Sequence, residues 1–285
     1  MMIYQNGAFI PEQDAAITPF DHGFLYGMGV FETFRIYNGH PFLLKDHLRR
    51  LQKSLDAMYI EYNVDGERIA DIVSRLLSLN GLKNARVRLN ISAGPGPVGL
   101  QKGPYLEPNI LVFMSGLPPA PEQLIERQAK ILELRRNSPE QAYRLKSHHY
   151  GNNMAATREL AEEEEGIYLN REGMLAEAVT SNLFWVQEGI LYTPNLETGI
   201  LPGITRQFIL EMAKRLGIPY KEGFYPLEKL SEAEEVFLTN SVQEIVPISR
   251  IKGVGVYRGS DGEMVQRLYD LYKAKREELL EGNAL

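Results

Sequence analysis

Hydrophobic residues recur along this chain with two spacings, and each change of spacing marks a new element. Near the start, "MIY-QNG-AFI" and "VFETFRIYNGHPFLL" place Asn6-Gly7 and Asn38-Gly39 between apolar runs. Asn-Gly supplies the positive φ angles of tight hairpin turns, so both stretches are predicted hairpins. Leu44, Leu48, Leu51, Leu55 and Met58 then follow helical spacing, and a second helix is predicted from about Glu67 to Leu79. "ARVRLNIS" and "NILVFMSG" read as strands. The pattern after that predicts strands near 129–135 and 143–147, with Lys146 at the end of the second, and a helix from about Asn153 to Glu165 whose Glu162–Glu165 run is a solvated face. A meander follows ("GIYLN", "MLAEA", "NLFWVQ", "ILYTP"), turning at Glu172-Gly173 and Glu188-Gly189. Ile204, Phe208, Met212 and Leu216 form one stripe of a helix that Gly217 terminates. Ser231 and Glu234 have capping-box spacing, and a last helix spans about 262–281.

"GLPPAPEQ" (Gly116 to Gln123) is the linker candidate, since its prolines cannot join a sheet interior. The expected fold class is α+β in two lobes: a small N-terminal α/β domain (1–115), a linker (116–123), and a larger C-terminal domain (124–285) carrying Lys146.

Composition narrows the chemistry. The net charge of −6 argues against a nucleic-acid partner, although a few placed arginines can still receive a small anionic substrate. There are no cysteines, which excludes disulfides, thiolate-bound metal and a thiol nucleophile, and fits a cytoplasmic protein. No signal peptide and no membrane-spanning apolar run is seen. The five histidines form no metal-binding pair, so no metal is expected, and no G-x-S-x-G elbow is present. "GPGPVG" (Gly94 to Gly99) matches a dinucleotide pattern in letters only. Pro95 and Pro97 have no N–H to offer a phosphate, and no helix follows.

What remains is a bound organic cofactor anchored by a lysine. Four stretches could serve it. Lys146, on a rigid element, could act through a Schiff base, or be a solvated strand-end charge. In "GILPGITRQF" the amides of Ile204 and Thr205 open a helix, as a phosphate site or an ordinary cap. In "DHLRRL" Arg50 shares a helical face with His47 at the edge of the apolar stripe, as a phosphate ligand or a surface ion pair. Glu177 lies inside an apolar strand and needs a partner, either a protonated heterocyclic nitrogen or an arginine.

Together, "DHLRRL", "RLKSHHYGNNMAATREL", "LAEAVTSNLFWV", "GILPGITRQFI" and "EEVFLTNSVQEIVPI" resemble the fold-type IV pyridoxal-phosphate enzymes, over nearly the whole chain. That family includes branched-chain and D-amino-acid aminotransferases and aminodeoxychorismate lyases. The resemblance implies pyridoxal 5'-phosphate as cofactor, Lys146 as its Schiff-base lysine and Glu177 as partner of the ring nitrogen. It also implies Arg50, Ile204, Thr205, Asn240 and Ser241 as phosphate ligands, and a homodimer. Phe31 stands where the D-amino-acid enzymes carry tyrosine, and the loop "GPGPVGLQKG" lacks their Arg-x-His. "DHGFLYGMGVFETFR" and "FLTNSVQEIVP" look most like the bacterial lyases, which implies conversion of 4-amino-4-deoxychorismate to 4-aminobenzoate and pyruvate, in folate biosynthesis. Phe31, Thr33 and Arg35 are then candidate substrate contacts, while His148, His149 and Tyr150 receive no role. The alternatives are an aminotransferase on the same fold and a non-catalytic cofactor-binding protein.

Overall fold

The computed structural model describes residues 1–284 and divides into two compact units. The first comprises Met1–Ala120, Leu145–His149 and Arg276–Ala284; the second comprises Pro121–Arg144 and Tyr150–Lys275. The chain therefore passes between units inside the proline-rich stretch, but the segment holding Lys146 packs with the first unit rather than with the C-terminal one.

In the first unit, β1 (Met2–Gln5), β2 (Ala8–Pro11), β3 (Gly29–Tyr37), β4 (His40–Pro41), β5 (Ala85–Ser92) and β6 (Asn109–Gly116) form an antiparallel sheet of order β2-β1-β6-β5-β3-β4. Both Asn-Gly turns form as expected, with Asn6 and Asn38 at φ 47°. Helix α1 (His22–Tyr26) precedes β3; α2 (Leu44–Ala57) and α3 (Gly66–Asn80) cover one sheet face. Strand alternation sends Val30, Phe34 and Ile36 of β3 toward α2, where Leu48, Leu51 and Leu55 are buried. Truncating fully buried Leu55 to alanine would cost about 2–5 kcal/mol. The opposite face of β3 carries Phe31, Thr33 and Arg35, paired in register with Asn90, Arg88 and Arg86 of β5. Three arginines thus share one sheet face.

The second unit contains β7 (Arg127–Ile131), β8 (Glu164–Leu169), β9 (Leu175–Ala178), β10 (Asn182–Gln187), β11 (Ile190–Pro194), β12 (Tyr220–Gly223), β13 (Glu235–Asn240), β14 (Glu244–Lys252) and β15 (Gly255–Val256). Their path runs β12-β11-β10-β13-β14-β7-β8-β9, and β9 pairs again with β10, so six of the strands close into a ring. The helices are α4 (Gly151–Ala156), α5 (Ile204–Arg215), α6 (Glu228–Ser231) and α7 (Glu263–Lys275).

The meander and α5 match the pattern-based expectation, and Gly217 follows α5 at φ 67°. Four local expectations do not hold. No strand forms over 143–147; Ser147 makes a single bridge to Val30. The helix expected over 153–165 ends at Ala156 with one 3-10 turn after it, because Glu164 and Glu165 pair in parallel with Gln128 and Ala129 of β7. Sheet pairing there overrides helical propensity. Ser231 closes α6 instead of capping a new element, its hydroxyl donating to the Glu228 carbonyl. The last helix stops at Lys275, and Arg276–Ala284 packs with the first unit. Among the described residues no helix is long and apolar enough to cross a membrane, and no cluster of His, Asp or Glu could hold a metal.

Candidate active site

Lys146 sits in the first unit on an irregular segment stitched to β3. The Phe31 amide donates to the Lys146 carbonyl at 2.9 Å, and the His148 amide donates to the Gly29 carbonyl at 2.9 Å. These two bonds hold the lysine backbone more tightly than a chain end would, although it belongs to no strand. Lys146 Nζ lies 4.8 Å from the centre of the Phe31 ring, and the Arg88 guanidinium lies 3.6 Å from the same ring. Two cations at one aromatic ring make a locally positive floor. Asn90 organises its edge, accepting from Arg88 Nη2 at 3.3 Å and meeting His148 Nε2 at 3.0 Å. Burial, and then the charge of Arg88, push His148 down to about 4, so its imidazole is neutral at pH 7 and donates through Nε2.

Arg50 is not a surface charge. Its Nε and Nη2 donate to the two oxygens of Glu32, at 2.8 and 2.6 Å, in the planar fork that fits a carboxylate. His47, one helical turn earlier on α2, adds Nδ1 to Glu32 Oε2 at 2.7 Å. Glu32 and His47 are each 1% exposed, so His47 is buried rather than at the stripe edge. Burial alone would raise the Glu32 carboxyl, but Arg50 and then His47 bring it down to about 2. For His47 burial outweighs the Glu32 bond and lowers it below its ordinary value. The network fixes the plane of the Arg50 guanidinium.

In the second unit Glu177 lies on β9, 4% exposed. Arg136 Nε donates to Oε1 at 2.9 Å, and Arg144 Nε lies 3.7 Å from that oxygen. Oε2 accepts from the Leu201 amide at 2.9 Å and from Asn182 Nδ2 at 3.3 Å. A carboxylate offers about four acceptor sites, so these three hydrogen bonds leave a position for one more donor. Arg136 also donates through Nη1 to Asn152 at 2.8 Å and Asn153 at 3.2 Å, which locks its own orientation.

Helix α5 starts at Ile204 after Gly203, with no side-chain cap. The Ile204 and Thr205 amides therefore lack intrahelical acceptors. Thr205 Oγ1 meets Ser241 Oγ at 3.4 Å, which places two hydroxyls at that helix end. A Cβ at Gly203 would come 1.9 Å from Asn182 Oδ1, so any larger residue there forces the Asn182 amide to move. Asn240 shapes the neighbouring hairpin, its Oδ1 accepting from the Val242 and Gln243 amides at 2.9 and 2.8 Å.

Taken one by one, these residues suit the separate parts of a group carrying a phosphate, a basic ring nitrogen and an aldehyde. An uncapped helix end with two hydroxyls suits the phosphate, a buried carboxylate with an acceptor position to spare suits the nitrogen, and a backbone-anchored amine suits the aldehyde. All three candidate substrate contacts lie on the arginine-bearing face; Thr33 is half-buried, Phe31 and Arg35 are buried, and Arg35 donates to the Pro118 carbonyl at 3.0 Å. Arg88, Asn90, Arg136, Arg144 and Asn182 were missed from the sequence. The alternation in "ARVRLNIS" would have flagged Arg88 once the β3–β5 register was known; nothing local flags Arg136, which meets Glu177 from forty-one positions away.

The profile of amino-transferase class IV matches residues 29–251. The aminodeoxychorismate lyase of Bacillus subtilis is 48% identical over 98% of this chain and 96% of its own length. The D-alanine aminotransferase of Staphylococcus epidermidis is 27% identical, covering 93% and 94%. Among solved structures, the T.th. branched-chain amino acid aminotransferase complexed with N-(5'-phosphopyridoxyl)-L-glutamate superposes with a TM-score of 0.86 at 26% identity, over 97% of this chain and 94% of that one. On a profile match across most of its length and a relative nearly half identical from end to end, this chain belongs to the amino-transferase class IV family.

Proposed function

We propose that this protein is a pyridoxal-phosphate-dependent aminodeoxychorismate lyase, which eliminates the enolpyruvyl group of 4-amino-4-deoxychorismate to give 4-aminobenzoate and pyruvate. The observation that carries this reading is the 48% identity, over nearly all of both chains, to a lyase, against 27% to the D-alanine aminotransferase. Phe31 and the loop "GPGPVGLQKG", which lacks Arg-x-His, support the same choice. The reading includes a role in folate biosynthesis, a cytoplasmic location and a homodimer.

Pyridoxal phosphate, when bound, supplies a sink for the electron pair released at the substrate's C4. Lys146 Nζ would hold the cofactor through its aldehyde and, as a free amine, would take the C4 proton. The C3–O bond of the substrate then breaks, its ring becomes aromatic, and the proton taken from C4 is balanced by one delivered to the departing enolpyruvate, which completes pyruvate. No oxidant and no water is consumed. Arg50, the Ile204 and Thr205 amides, Thr205 and Ser241 act as the phosphate ligands, and Asn240, whose Nδ2 donates to Ser181 and Gln243, holds the turn that carries Ser241. Glu177, oriented by Arg136 and Asn182, accepts from the ring nitrogen and favours its protonated form. Arg88, over Phe31, offers a guanidinium to one carboxylate of a substrate that has two.

The test is direct. The cofactor-loaded protein is given 4-amino-4-deoxychorismate, made in situ from chorismate and glutamine by its synthase, and 4-aminobenzoate is followed. Product above the synthase-only blank, abolished in Lys146→Ala, is expected. A yellow, lysine-bound holoenzyme that makes no product would sink the lyase reading. A screen of amino donors against keto acids would then test the aminotransferase reading, which the family membership favours.

A further inference from the structure

Helix α2, which carries His47 and Arg50, starts in an unusual way. Its N-cap is Leu43 at φ 54°, and no side chain caps it. The first N–H groups of a helix have no intrahelical acceptor, and Ser, Thr, Asp or Asn at the N-cap normally supplies one. Here residues 276–284 supply acceptors to the N-cap and to Lys45, while the Asp46 amide turns back to the Leu43 carbonyl at 3.1 Å. The Leu279 carbonyl accepts from the Leu43 amide at 3.0 Å, and the Leu280 carbonyl accepts from the Lys45 amide at 3.0 Å. Leu279 also receives His40 Nε2 at 3.0 Å. The clasp is reciprocal, because Asp46 Oδ2 accepts from the Gly282 amide at 2.7 Å. Glu281 pairs with Lys45 at 2.7 Å and with Arg49 at 3.2 Å. Leu279 itself is buried, and Asn38 Nδ2 donates to Glu277 at 3.0 Å.

We propose that residues 276–284 form a positioning strap that caps α2 and, by fixing its first turn, sets how firmly Arg50 holds the cofactor's phosphate. The lever is short. The His47 amide closes its helical bond on the Leu43 carbonyl at 3.1 Å, so the turn gripped by the strap is the turn that aims the His47 ring at Glu32. Glu32 in turn orients Arg50. An unstrapped first turn frays, as helix ends with unsatisfied donors do, and the Glu32 network loses its His47 member. The strap acts through Arg50 and touches no reacting atom. The inference rests on the reading of Arg50 as a phosphate ligand.

The experiment compares full-length wild type with Glu281→Lys, which sets a cation against Lys45 and Arg49, and with Glu281→Lys/Gly282→Pro, which also removes the amide from which Asp46 accepts. Arg50→Met serves as a reference. Each apoprotein is titrated with pyridoxal phosphate and, separately, with pyridoxal, which lacks the phosphate. Amide hydrogen exchange is followed at Leu43–His47. The strap variants are expected to exchange faster there and to lose affinity for pyridoxal phosphate, about tenfold in the double variant, a cap's worth of free energy. Their affinity for pyridoxal stays unchanged. Equal losses for both ligands would reduce the strap to a structural brace and overturn the proposal. So would faster exchange with the preference for pyridoxal phosphate intact. If Arg50→Met keeps that preference, the phosphate reading of Arg50 itself fails. If Arg50→Met loses it while both strap variants keep it, the strap alone is refuted.

Discussion

Replacing Glu32 by glutamine tests the electrostatics that hold Arg50 in place. The carboxylate is 1% exposed and receives three charge-assisted or buried hydrogen bonds, two from Arg50 and one from His47. Its value moves from 4.5 in the unfolded chain to about 2 in the fold. At about 1.4 kcal/mol per tenfold change in proton affinity, this is worth about 3 kcal/mol of stability. Glutamine keeps the shape but leaves the Arg50 guanidinium, whose side chain is 10% exposed, without the Glu32 anion. Removing one partner of a buried pair costs about 3–5 kcal/mol, so the two figures agree. The sign of the pH effect follows from the direction of the shift. A depressed carboxyl contributes fully above 4.5, and its contribution fades as pH falls from 4.5 toward about 2. Urea unfolding at pH 7 should therefore show Glu32→Gln destabilised by about 3–5 kcal/mol. Hydrogen exchange along α2 should report the same loss locally, and the gap from wild type should narrow as pH falls from 4.5 toward about 2. Adding Arg50→Met should recover much of the stability, since neither charge of the pair then remains. A loss under about 1 kcal/mol, or a gap indifferent to pH below 4.5, would refute the reasoning.

Four further outcomes are expected. His148 is held near 4 against an ordinary 6.5, so the unfolded chain takes up this proton first, and wild type should lose up to about 3 kcal/mol as pH falls from 6.5 to 4; His148→Gln should flatten that slope in pH-dependent unfolding. Arg136→Met should shift the pH titration of the bound cofactor's absorbance and lower kcat more than KM, because it removes the shortest ion pair of Glu177; an unchanged titration would remove Arg136 from any role at the ring nitrogen. Thr205→Val with Ser241→Ala should weaken pyridoxal phosphate binding by about tenfold, two hydroxyl bonds at about 0.7 kcal/mol each, measured by apoprotein titration. Gly203→Ala should cost about 1–3 kcal/mol in thermal unfolding, since its Cβ would displace the Asn182 amide.

The hairpins, α2, α3, β5, β6, the meander and α5 were readable because each is specified by residues a few positions apart: Asn-Gly turns, a 3.6-residue stripe, strict alternation. Lys146, Arg50, Glu177 and the start of α5 stood out as candidates from local motifs for the same reason, whereas Asn240 and Ser241 were named by the family resemblance alone. Where the pattern misled, a distant partner had decided. The glutamate-rich run became strand because β7 offered it backbone hydrogen bonds. Lys146 lies on no strand, yet two bonds to β3 fix its segment.

The partners of the site residues lie beyond what periodicity can specify. Glu32 meets Arg50 across eighteen positions, Arg136 meets Glu177 across forty-one, and Gly282 meets Asp46 across two hundred and thirty-six. The sequence alone determined those elements that neighbouring residues specify, and which groups are available for chemistry, because backbone dihedrals and side-chain periodicity are local. Only the tertiary structure decided which carboxylate each arginine neutralises and what caps α2, because burial makes an unpaired charge or amide costly, and the group that satisfies it can come from anywhere in the chain.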